Sequence, residues 1–464
     1  MQVNISFFGA AQNVTGSQYL LQANGKNILI DCGLYQEHDL KERNWEDFKF
    51  PVESLDAVVL THAHLDHCGR LPLLVKAGFS GPIYCTRATA DIAQIVMMDC
   101  AKINEEDAEF KRKRHEKEGR VGPHPEVPLY TVDDAAAVTP LLKPCEFNKT
   151  LGLGEGLTLE FVCVAHILGA AFLRFTITQN DETRTLVFSG DVGRKDMPIL
   201  EDPSPLGEAD YVVIESTYGD RLHGPQADIP NELAEVINDT VARGGNLIIP
   251  SFAIERTQEL IYFLAQLVHE NKIPHLRTFI DSPMAVKVSD VFKRHPYLFD
   301  QDTVALSRKT RLAGLTMVRS QSDSKTINHI KGTAIIIAGA GMCTGGRIKH
   351  HLVHNISDKD NTILFVGYQA ENTLGREILD GAKRVRILGD EVPVKARIAK
   401  ISGFSAHADQ HELCDWLETN TAKPRHIFVT HGEVNAAHTF AQLLKDKYGW
   451  NATVPKYEDT ITIE

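Results

Sequence analysis

The sequence predicts an α/β protein in which a parallel-sheet domain is inserted into a larger, sheet-centred domain. The first part of the chain alternates short β-branched or aromatic runs with turns and helical stretches, which is typical of a mixed sheet covered by helices. From about residue 225 to 393 the pattern becomes strand then helix, repeated, which indicates parallel strands joined by crossover helices. Histidine-bearing turns then return. We therefore predict a discontinuous first domain over residues 1–215 and 395–464, and an inserted domain over residues 216–394.

The strands predicted for the first domain are short hydrophobic runs bounded by turn residues. They cover residues 3–8, 18–22, 26–31, 56–61, 158–164, 170–178, 185–190 and 210–214. Helical periodicity begins at Asp66 and again at Thr89, where it runs into a charged stretch. Within that stretch the basic run 111–114 is flanked by acidic residues, which favours a solvated helix with ion pairs over a nucleic-acid contact.

The inserted domain shows strand and helix patterns in regular succession. The predicted strands cover residues 246–249, 278–280, 334–338 and 362–366, and the helices that follow them cover residues 253–268, 283–294, 346–352 and 372–379. The sequence contains no internal repeat and no low-complexity tract that would suggest another architecture.

Composition and charge exclude several classes of protein. No run approaches the roughly 18 apolar residues that a membrane-spanning helix needs, and the first residues lack the features of a secretion signal. The eight cysteines are scattered singly without a C-x-x-C pair, as expected of reduced core positions. These features predict a cytoplasmic protein without a membrane partner. The net charge of -12 argues against a general nucleic-acid coat, so a polyanionic substrate must be bound locally.

A turn directly after a predicted strand carries four potential metal ligands within six residues. The pattern is H-x-H-x-D-H, formed by His62, His64, Asp66 and His67. Imidazole and carboxylate together suit zinc, and catalytic zinc sites keep one position open for water. The competing interpretation is a polar loop with solvent-exposed histidines. The dense spacing favours a metal site, and further ligands must then come from other strand ends.

Three further candidate ligands follow other predicted strands. His166, Asp191 and His431 each stand at the carboxyl-terminal tip of a hydrophobic run, beside small residues. Taken singly, each would be read as a capping or loop residue, but their shared placement favours a joint role as ligands. Asp31 also ends a strand. We expect its carboxylate to orient a ligand histidine or the loop rather than to bind metal directly.

Together these residues resemble the motifs of the metallo-β-lactamase superfamily, and specifically of its β-CASP branch of RNA-processing nucleases. The resemblance covers essentially the whole chain and extends to the endonuclease subunit of the cleavage and polyadenylation machinery and its stand-alone prokaryotic relatives. The matching positions are Asp31, the turn 62–67, His166, Asp191, Glu215 in I-E-S-T-Y, His407 in G-F-S-A-H-A-D and His431 in T-H-G-E. The resemblance implies a four-layer αββα sandwich with an inserted β-CASP domain.

The resemblance also implies a site with two zinc ions. One zinc ion is expected among His62, His64 and His166, and the other among Asp66, His67 and His431, with Asp191 bridging the two. A hydroxide shared by the two ions is the expected nucleophile.

The same resemblance assigns catalytic roles to Asp66, Glu215 and His407. Departure of the ribose oxygen needs a proton, and His407 is the expected general acid, oriented by Glu215. The alternative is a buried His–Glu hydrogen bond that serves structure alone. A histidine at position 431 is typical of the RNA-acting members, so the resemblance favours RNA over DNA.

Charge is distributed unevenly along the chain. Residues 331–400 contain eleven Lys and Arg against seven Asp and Glu, a balance of +4, which leaves -16 for the rest of the chain. This difference points to the inserted domain as the local phosphate-binding surface. Gly346 and Arg347, which open a predicted helix, and Ser405 are the residues predicted to bind substrate phosphate. For the Gly-rich turn, the alternative is a turn without a ligand.

The sequence and its resemblance predict a zinc-dependent ribonuclease that cuts single-stranded RNA as an endonuclease, with exonuclease activity also allowed. A homodimer is compatible with the sequence, which does not reveal the oligomeric state. The first alternative is an enzyme of the same superfamily that hydrolyses a small ester, thioester or lactam, which would need no equivalent of His407. The second alternative is a non-catalytic RNA-binding subunit, which would have lost ligands.

Overall fold

The structure is a computed structural model that describes residues 3–121, 126–223, 229–309 and 312–463. The chain forms two compact units. The first unit consists of Met1–Lys195, Asp202–Leu222 and His407–Glu464, and the second unit consists of Asp196–Glu201 and His223–Ala406. The chain therefore passes into the second unit after Leu222 and returns to the first unit after Ala406. The sequence predicted these domain boundaries after residues 215 and 394.

The first part of the first unit contains strands β1 to β11 and helices α1 to α4. The strands are β1 Val3–Gly9, β2 Gln18–Ala23, β3 Lys26–Ile30, β4 Ala57–Val59, β5 Ile83–Thr86, β6 Leu142–Cys145, β7 Leu151–Gly154, β8 Leu157–Cys163, β9 Ala171–Gln179, β10 Glu182–Phe188 and β11 Tyr211–Ile214. The helices are α1 Leu65–Cys68, α2 Leu71–Lys76, α3 Arg87–Glu118 and α4 Val132–Val138.

Helix α3 has an exposed second half that carries the basic run 111–114. Lys113 Nζ lies 2.6 Å from Glu109 Oε1, and Arg114 Nε lies 2.8 Å from Glu118 Oε1, so each pair spans one helical turn. The predicted solvated helix with ion pairs is therefore confirmed. Although α3 is 32 residues long, no helix in the described ranges is long and apolar enough to cross a membrane.

The second unit contains a parallel sheet with helices between its strands. The strands are β12 Leu247–Pro250, β13 Arg277–Ile280, β14 Leu315–Met317, β15 Ala334–Ala338, β16 Thr362–Phe365, β17 Arg384–Ile387, β18 Asp390–Pro393 and β19 Arg397–Lys400. The helices are α5 Ile229–Arg243, α6 Arg256–His269, α7 Pro283–Arg294, α8 Gln301–Lys309, α9 Gln321–Ile327, α10 Ile348–Asn355 and α11 Leu374–Leu379. The main sheet has the order β14-β13-β15-β12-β16-β19 with all neighbours parallel, as predicted.

The last part of the chain returns to the first unit and completes its two sheets. It contributes β20 His426–Val429, β21 Ala452–Thr453, β22 Thr460–Ile463, α12 Gln410–Glu418 and α13 Val434–Tyr448. One sheet has the order β22-β1-β2-β3-β4-β5-β6 and the other the order β21-β20-β11-β10-β9-β8-β7. The carboxyl-terminal strands therefore pair with strands from the start of the chain, as a discontinuous domain requires.

The two sheets of the first unit pack face to face over one hydrophobic core. Alternating side chains of both sheets are buried in it, since a strand directs every second residue to the same face. The rings of Phe7 on β1 and Phe428 on β20 lie 5.8 Å apart, and those of Tyr19 on β2 and Phe188 on β10 lie 5.9 Å apart. Helix α3 packs on β5 and β6, and α13 packs on β20 and β21. The expected four-layer αββα sandwich is confirmed.

Parallel pairing brings several strand ends to one edge of each sheet in the first unit. In the first sheet β3 and β4 are parallel, so Asp31 and the turn that starts at Thr61 leave the same edge. In the second sheet β10, β11 and β20 are parallel, so Asp191, Glu215 and His431 also leave a common edge. The ends of these strands are where polar side chains can gather without disturbing the core.

Gly33 allows the loop after β3 to lie directly against the turn 62–67. A Cβ at position 33 would lie 1.6 Å from the carbonyl oxygen of Asp66 and 2.2 Å from its carbonyl carbon. The backbone N–H of Cys32 donates to the carbonyl of His67 at 2.7 Å, which holds the two segments together. A side chain at position 33 would therefore displace the ligand turn.

We expect Gly33→Ala to lower the free energy of unfolding by about 2 kcal/mol or more, because the clashing backbone cannot move aside as a flexible side chain can. Gly152→Ala is the matched control, since no heavy atom lies within 4 Å of a Cβ there. Urea denaturation followed by circular dichroism measures both variants. Equal stability of the Gly33→Ala variant and the wild type would contradict this packing.

Candidate metal centre

The first group of candidate ligand atoms comes from His62, His64, His166 and Asp191. His62 and His64 lie in the turn after β4, His166 follows β8 and Asp191 follows β10. His64 Nδ1 lies 3.1 Å from His62 Nε2 and 3.2 Å from His166 Nε2. Asp191 Oδ2 lies 3.4 Å from His62 Nε2 and 3.5 Å from His166 Nε2. Three imidazole nitrogens and one carboxylate oxygen thus surround one point.

The second group comes from Asp66, His67, His431 and the same Asp191. Asp66 and His67 lie on α1, and His431 follows β20. His67 Nε2 lies 3.1 Å from His431 Nε2 and 3.3 Å from Asp191 Oδ1. His431 Nε2 lies 3.6 Å from Asp66 Oδ2 and 3.6 Å from Asp191 Oδ1. Asp191 therefore offers one carboxylate oxygen to each group.

The spacing and chemistry of these donors fit zinc. In a tetrahedral zinc site with bonds of about 2.0–2.2 Å, neighbouring donors lie roughly 3.3–3.6 Å apart. The separations above run from 3.1 to 3.6 Å. Asp191 Oδ1 is also buried and has no hydrogen-bond partner among the described residues, although buried polar atoms normally have one. A cation between the donors would satisfy this oxygen.

Burial keeps the imidazoles of the first group neutral. It lowers the pKa of His62 to about 3 and the pKa of His64 to about 4. It also lowers the pKa of His166 well below the ordinary histidine value. A neutral imidazole carries the lone pair that a metal ion needs, so these side chains are ready to act as ligands near neutral pH.

Carboxylates dominate the electrostatics of the second group. Burial by itself lowers the pKa of His67 and of His431, but Asp191, together with Asp31 or Asp66, raises both above the ordinary value. Burial would raise the pKa of Asp191, yet the facing imidazoles of His431 and His67 hold it well below its usual range. Ionised carboxylates among buried imidazoles favour a cation at this position.

Asp31 lies behind His67 and fixes the direction of its ring. Asp31 Oδ2 lies 2.7 Å from His67 Nδ1. Its two oxygens also accept hydrogen bonds from the backbone N–H and the hydroxyl of Thr61, each at 2.8 Å. Because Nδ1 of His67 contacts this carboxylate, its Nε2 faces the other donors of the second group. This geometry is what the predicted orienting role of Asp31 requires.

Two threonines that the sequence did not point to also contact candidate ligand histidines. Thr61 Oγ1 lies 3.0 Å from His62 Nδ1, and Thr217 Oγ1 lies 3.2 Å from His431 Nδ1. Thr61 directly precedes His62, and Thr217 follows Glu215 by two positions. Threonine is common in β-strands, so only its proximity to the motifs could have identified either residue.

A pair formed by the half-buried His407 and the buried Glu215 lies beside the candidate ligand groups. His407 Nδ1 lies 3.2 Å from each oxygen of Glu215, and the ring of His407 lies 4.5 Å from that of His166. Glu215 is fixed in turn, since Oε1 accepts from the N–H of Val192 at 2.7 Å and Oε2 from that of Thr217 at 3.2 Å. Burial would lower the pKa of His407, but the Glu215 carboxylate raises it to about 9. A pKa in this range favours the protonated ring at neutral pH.

The residues predicted to bind substrate phosphate lie in the second unit. Arg347 Nη1 lies 2.5 Å from Oδ1 of the buried Asp281, so the guanidinium neutralises that carboxylate. Gly346 has a φ of 73°, and a Cβ there would lie 2.5 Å from the carbonyl oxygen of Gly339. Both residues thus have structural contacts that the sequence did not reveal. Ser405 is half-buried. Phosphate binding by these three residues stays a prediction.

Three family models match successive parts of the chain. Residues 12–242 match the metallo-beta-lactamase superfamily. Residues 257–378 match the Beta-Casp domain, and this stretch lies within the second unit. Residues 391–455 match the Zn-dependent metallo-hydrolase RNA specificity domain, and this stretch includes His407 and His431.

The chain is also similar to known proteins over nearly its whole length. It is 40% identical to Ribonuclease TTHA0252 of Thermus thermophilus over 441 residues, which cover 94% of this chain and 95% of that protein. It is 29% identical to transcription termination factor FttA of Methanocaldococcus jannaschii, with 100% of this chain and 72% of that protein covered. For FttA of Methanosarcina mazei the identity is 28%, with 96% and 69% covered.

A crystal structure of a protein of unknown function from Enterococcus faecalis V583 has a related fold. It aligns over 100% of both chains with a TM-score of 0.56 and 11% sequence identity, which shows a shared fold and no more. The family matches and the relative with 40% identity confirm the resemblance seen in the sequence. The chain belongs to the β-CASP branch of the metallo-β-lactamase superfamily.

Proposed function

We propose that the protein is a zinc-dependent ribonuclease that hydrolyses phosphodiester bonds of single-stranded RNA and uses two zinc ions. The observation that carries the proposal is the position of Asp191, whose two oxygens face two separate groups of imidazoles. A pair of metal sites is suited to phosphodiester hydrolysis, because two cations can neutralise the charge that develops around phosphorus. The donor sets contain only nitrogen and oxygen ligands that zinc accepts.

RNA is the substrate favoured by the comparisons. The relative with 40% identity is named a ribonuclease, and the family model over residues 391–455 is named for RNA specificity. That stretch supplies His431 to the second ligand group and His407 to the His–Glu pair. The part of the chain that resembles an RNA-specific module therefore also contributes directly to the candidate metal centre.

The proposed mechanism assigns proton transfer to His407. Zinc ions held by the two groups would activate a water for attack and neutralise charge on the phosphate. His407 keeps its Nδ1 towards Glu215, so its other nitrogen, Nε2, carries the proton that can be donated. The leaving ribose oxygen takes this proton as its bond to phosphorus breaks. Glu215 stabilises the charged ring, and we assign Asp66 to positioning the attacking water in addition to metal binding.

The two alternative functions explain fewer of these features. A hydrolase of a small ester, thioester or lactam has no evident use for a His–Glu pair whose Glu215 is buried and held by two backbone N–H groups. A non-catalytic RNA-binding subunit has no use for two complete sets of donor residues around one buried carboxylate. We therefore prefer the nuclease.

Internal cleavage is part of the proposal. Endonucleolytic and exonucleolytic action break the same kind of bond, so both are compatible with this chemistry. The cytoplasmic location stays a prediction, and a homodimer stays compatible with the sequence.

Purified protein incubated with zinc is expected to cleave end-labelled single-stranded RNA, and to leave intact both DNA of the same sequence and a chromogenic lactam. Internal fragments on a denaturing gel indicate endonucleolytic cleavage, whereas mononucleotides released from one end indicate exonucleolytic action. Opening of the lactam with the RNA left intact would contradict the proposed function.

His407→Ala is expected to lower kcat for RNA by roughly 100- to 10,000-fold, because the leaving oxygen then departs without a proton. A substrate in which sulfur replaces the leaving oxygen should restore most of the rate, since a thiolate needs no proton to leave. His411→Ala is the matched control, as His411 is exposed on α12 and pairs with Asp415. If oxygen and sulfur substrates lose activity equally, His407 has a structural role only.

Asp191→Ala is expected to remove most of the bound zinc, because it withdraws an oxygen from both groups, whereas His64→Ala withdraws a donor from one group. Elemental analysis after dialysis should give about two zinc ions per chain for the wild type, roughly half of that for His64→Ala and little for Asp191→Ala. His438→Ala, exposed on α13, is the control. The same zinc content in all four proteins would refute the assignment of ligands.

A further inference from the structure

Two exposed aromatic side chains lie at the carboxyl edge of the parallel sheet in the second unit. Phe252 follows the end of β12, and Tyr368 follows the end of β16. Since β12 and β16 are adjacent and parallel, both residues leave the sheet at the same edge. The exposed fraction is 40% for Phe252 and 52% for Tyr368. In open α/β sheets this edge is where ligands bind.

The ring of Phe252 is supported by glycine backbone. A Cβ at Gly341 would lie 2.8 Å from ring atoms of Phe252, and a Cβ at Gly367 would lie 3.5 Å from the ring. The carbonyl of Phe252 accepts a hydrogen bond from Thr257 Oγ1 at 2.6 Å. The absence of side chains at these two glycines lets the ring lie against the chain, so it is held in a defined place although it is exposed.

A single buried amide connects the two aromatic positions. Gln369 has an exposed fraction of 3%, and its Nε2 lies 3.1 Å from the carbonyl oxygen of Gly341 and 3.0 Å from that of Tyr368. It therefore fixes both the glycine backbone beneath Phe252 and the backbone of Tyr368. We call Phe252, Tyr368, Gly341 and Gly367 the aromatic edge.

Charge in this part of the chain suits a nucleic acid. Residues 331–400, which include Tyr368 and both glycines, have a balance of +4 in a chain with a net charge of -12. Proteins that bind single strands combine positive charge, which attracts the backbone, with aromatic rings on which bases stack. Stacking on a protein ring requires a base that is not paired within a duplex.

We propose that the aromatic edge binds RNA by stacking Phe252 and Tyr368 against unpaired bases. The inference rests on the proposed ribonuclease function and adds to it a base-contacting surface in the second unit. Because every base has a face that can stack, the surface selects unpaired nucleotides over duplex with little preference for sequence. It also gives a physical reason for a single-stranded substrate.

The test measures binding of a short single-stranded RNA to the His407→Ala protein, in which cleavage is expected to be roughly 100-fold slower or more. Adding Phe252→Leu or Tyr368→Leu is expected to weaken binding roughly ten-fold, in line with the loss of one stacked base. The ring-preserving changes Phe252→Tyr and Tyr368→Phe should bind within about two-fold of the parent, because a phenol and a phenyl ring stack alike. Tyr297→Leu is the matched control, since Tyr297 is an exposed aromatic residue of the same unit that lies elsewhere.

A second measurement changes the bases of the RNA. RNA with abasic positions should bind the ring-intact protein roughly ten-fold more weakly than normal RNA, and the Phe252→Leu/Tyr368→Leu double variant should bind both RNAs equally. Thermal unfolding shows whether the variants are folded. Unchanged affinity in the leucine variants, or equal affinity of the ring-intact protein for normal and abasic RNA, overturns the proposal. If the wild type cleaves RNA in that case, only the aromatic edge is wrong; if it neither binds nor cleaves RNA, the proposed function is wrong as well.

Discussion

Asp191 is a buried carboxylate whose two oxygens face different imidazole groups, and positive charge must balance it. Burial keeps the imidazoles that face Oδ2 neutral, so they offer lone pairs to a metal ion but no positive charge. Around the imidazoles that face Oδ1, the carboxylates of Asp31 and Asp66 add further negative charge. The proposed pair of cations would satisfy both sides at once.

The sandwich supplies this arrangement because its two sheets present strand ends together. The first sheet contributes the turn 62–67, and the second contributes Asp191 and His431. Positions that the strands alone could not fix are fixed by short polar contacts, such as those of Asp31 with His67 and of Glu215 with His407. The same buried core that holds the sheets together therefore determines the distances between ligands.

Sequence reasoning reached the parts of the site that depend on local pattern. The turn 62–67 is recognisable because its ligands are neighbours, and the alternating strands and helices of the inserted domain indicate a parallel sheet. The strand order in that sheet depends on long-range pairing, which no local pattern encodes. The resemblance placed Asp191 between the two groups, but which of its oxygens faces which group depends on side-chain torsions that no local pattern encodes. Likewise, the contact of Arg347 with Asp281 joins residues 66 positions apart, which become neighbours only on folding.

The most direct test of two cations around Asp191 is X-ray diffraction from crystals of the zinc-loaded protein at the zinc absorption edge. The account predicts two anomalous peaks, each about 2.0–2.2 Å from the donors of one group, with Asp191 between them. One peak, no peak, or an Asp191 side chain turned away from both histidine groups would contradict it.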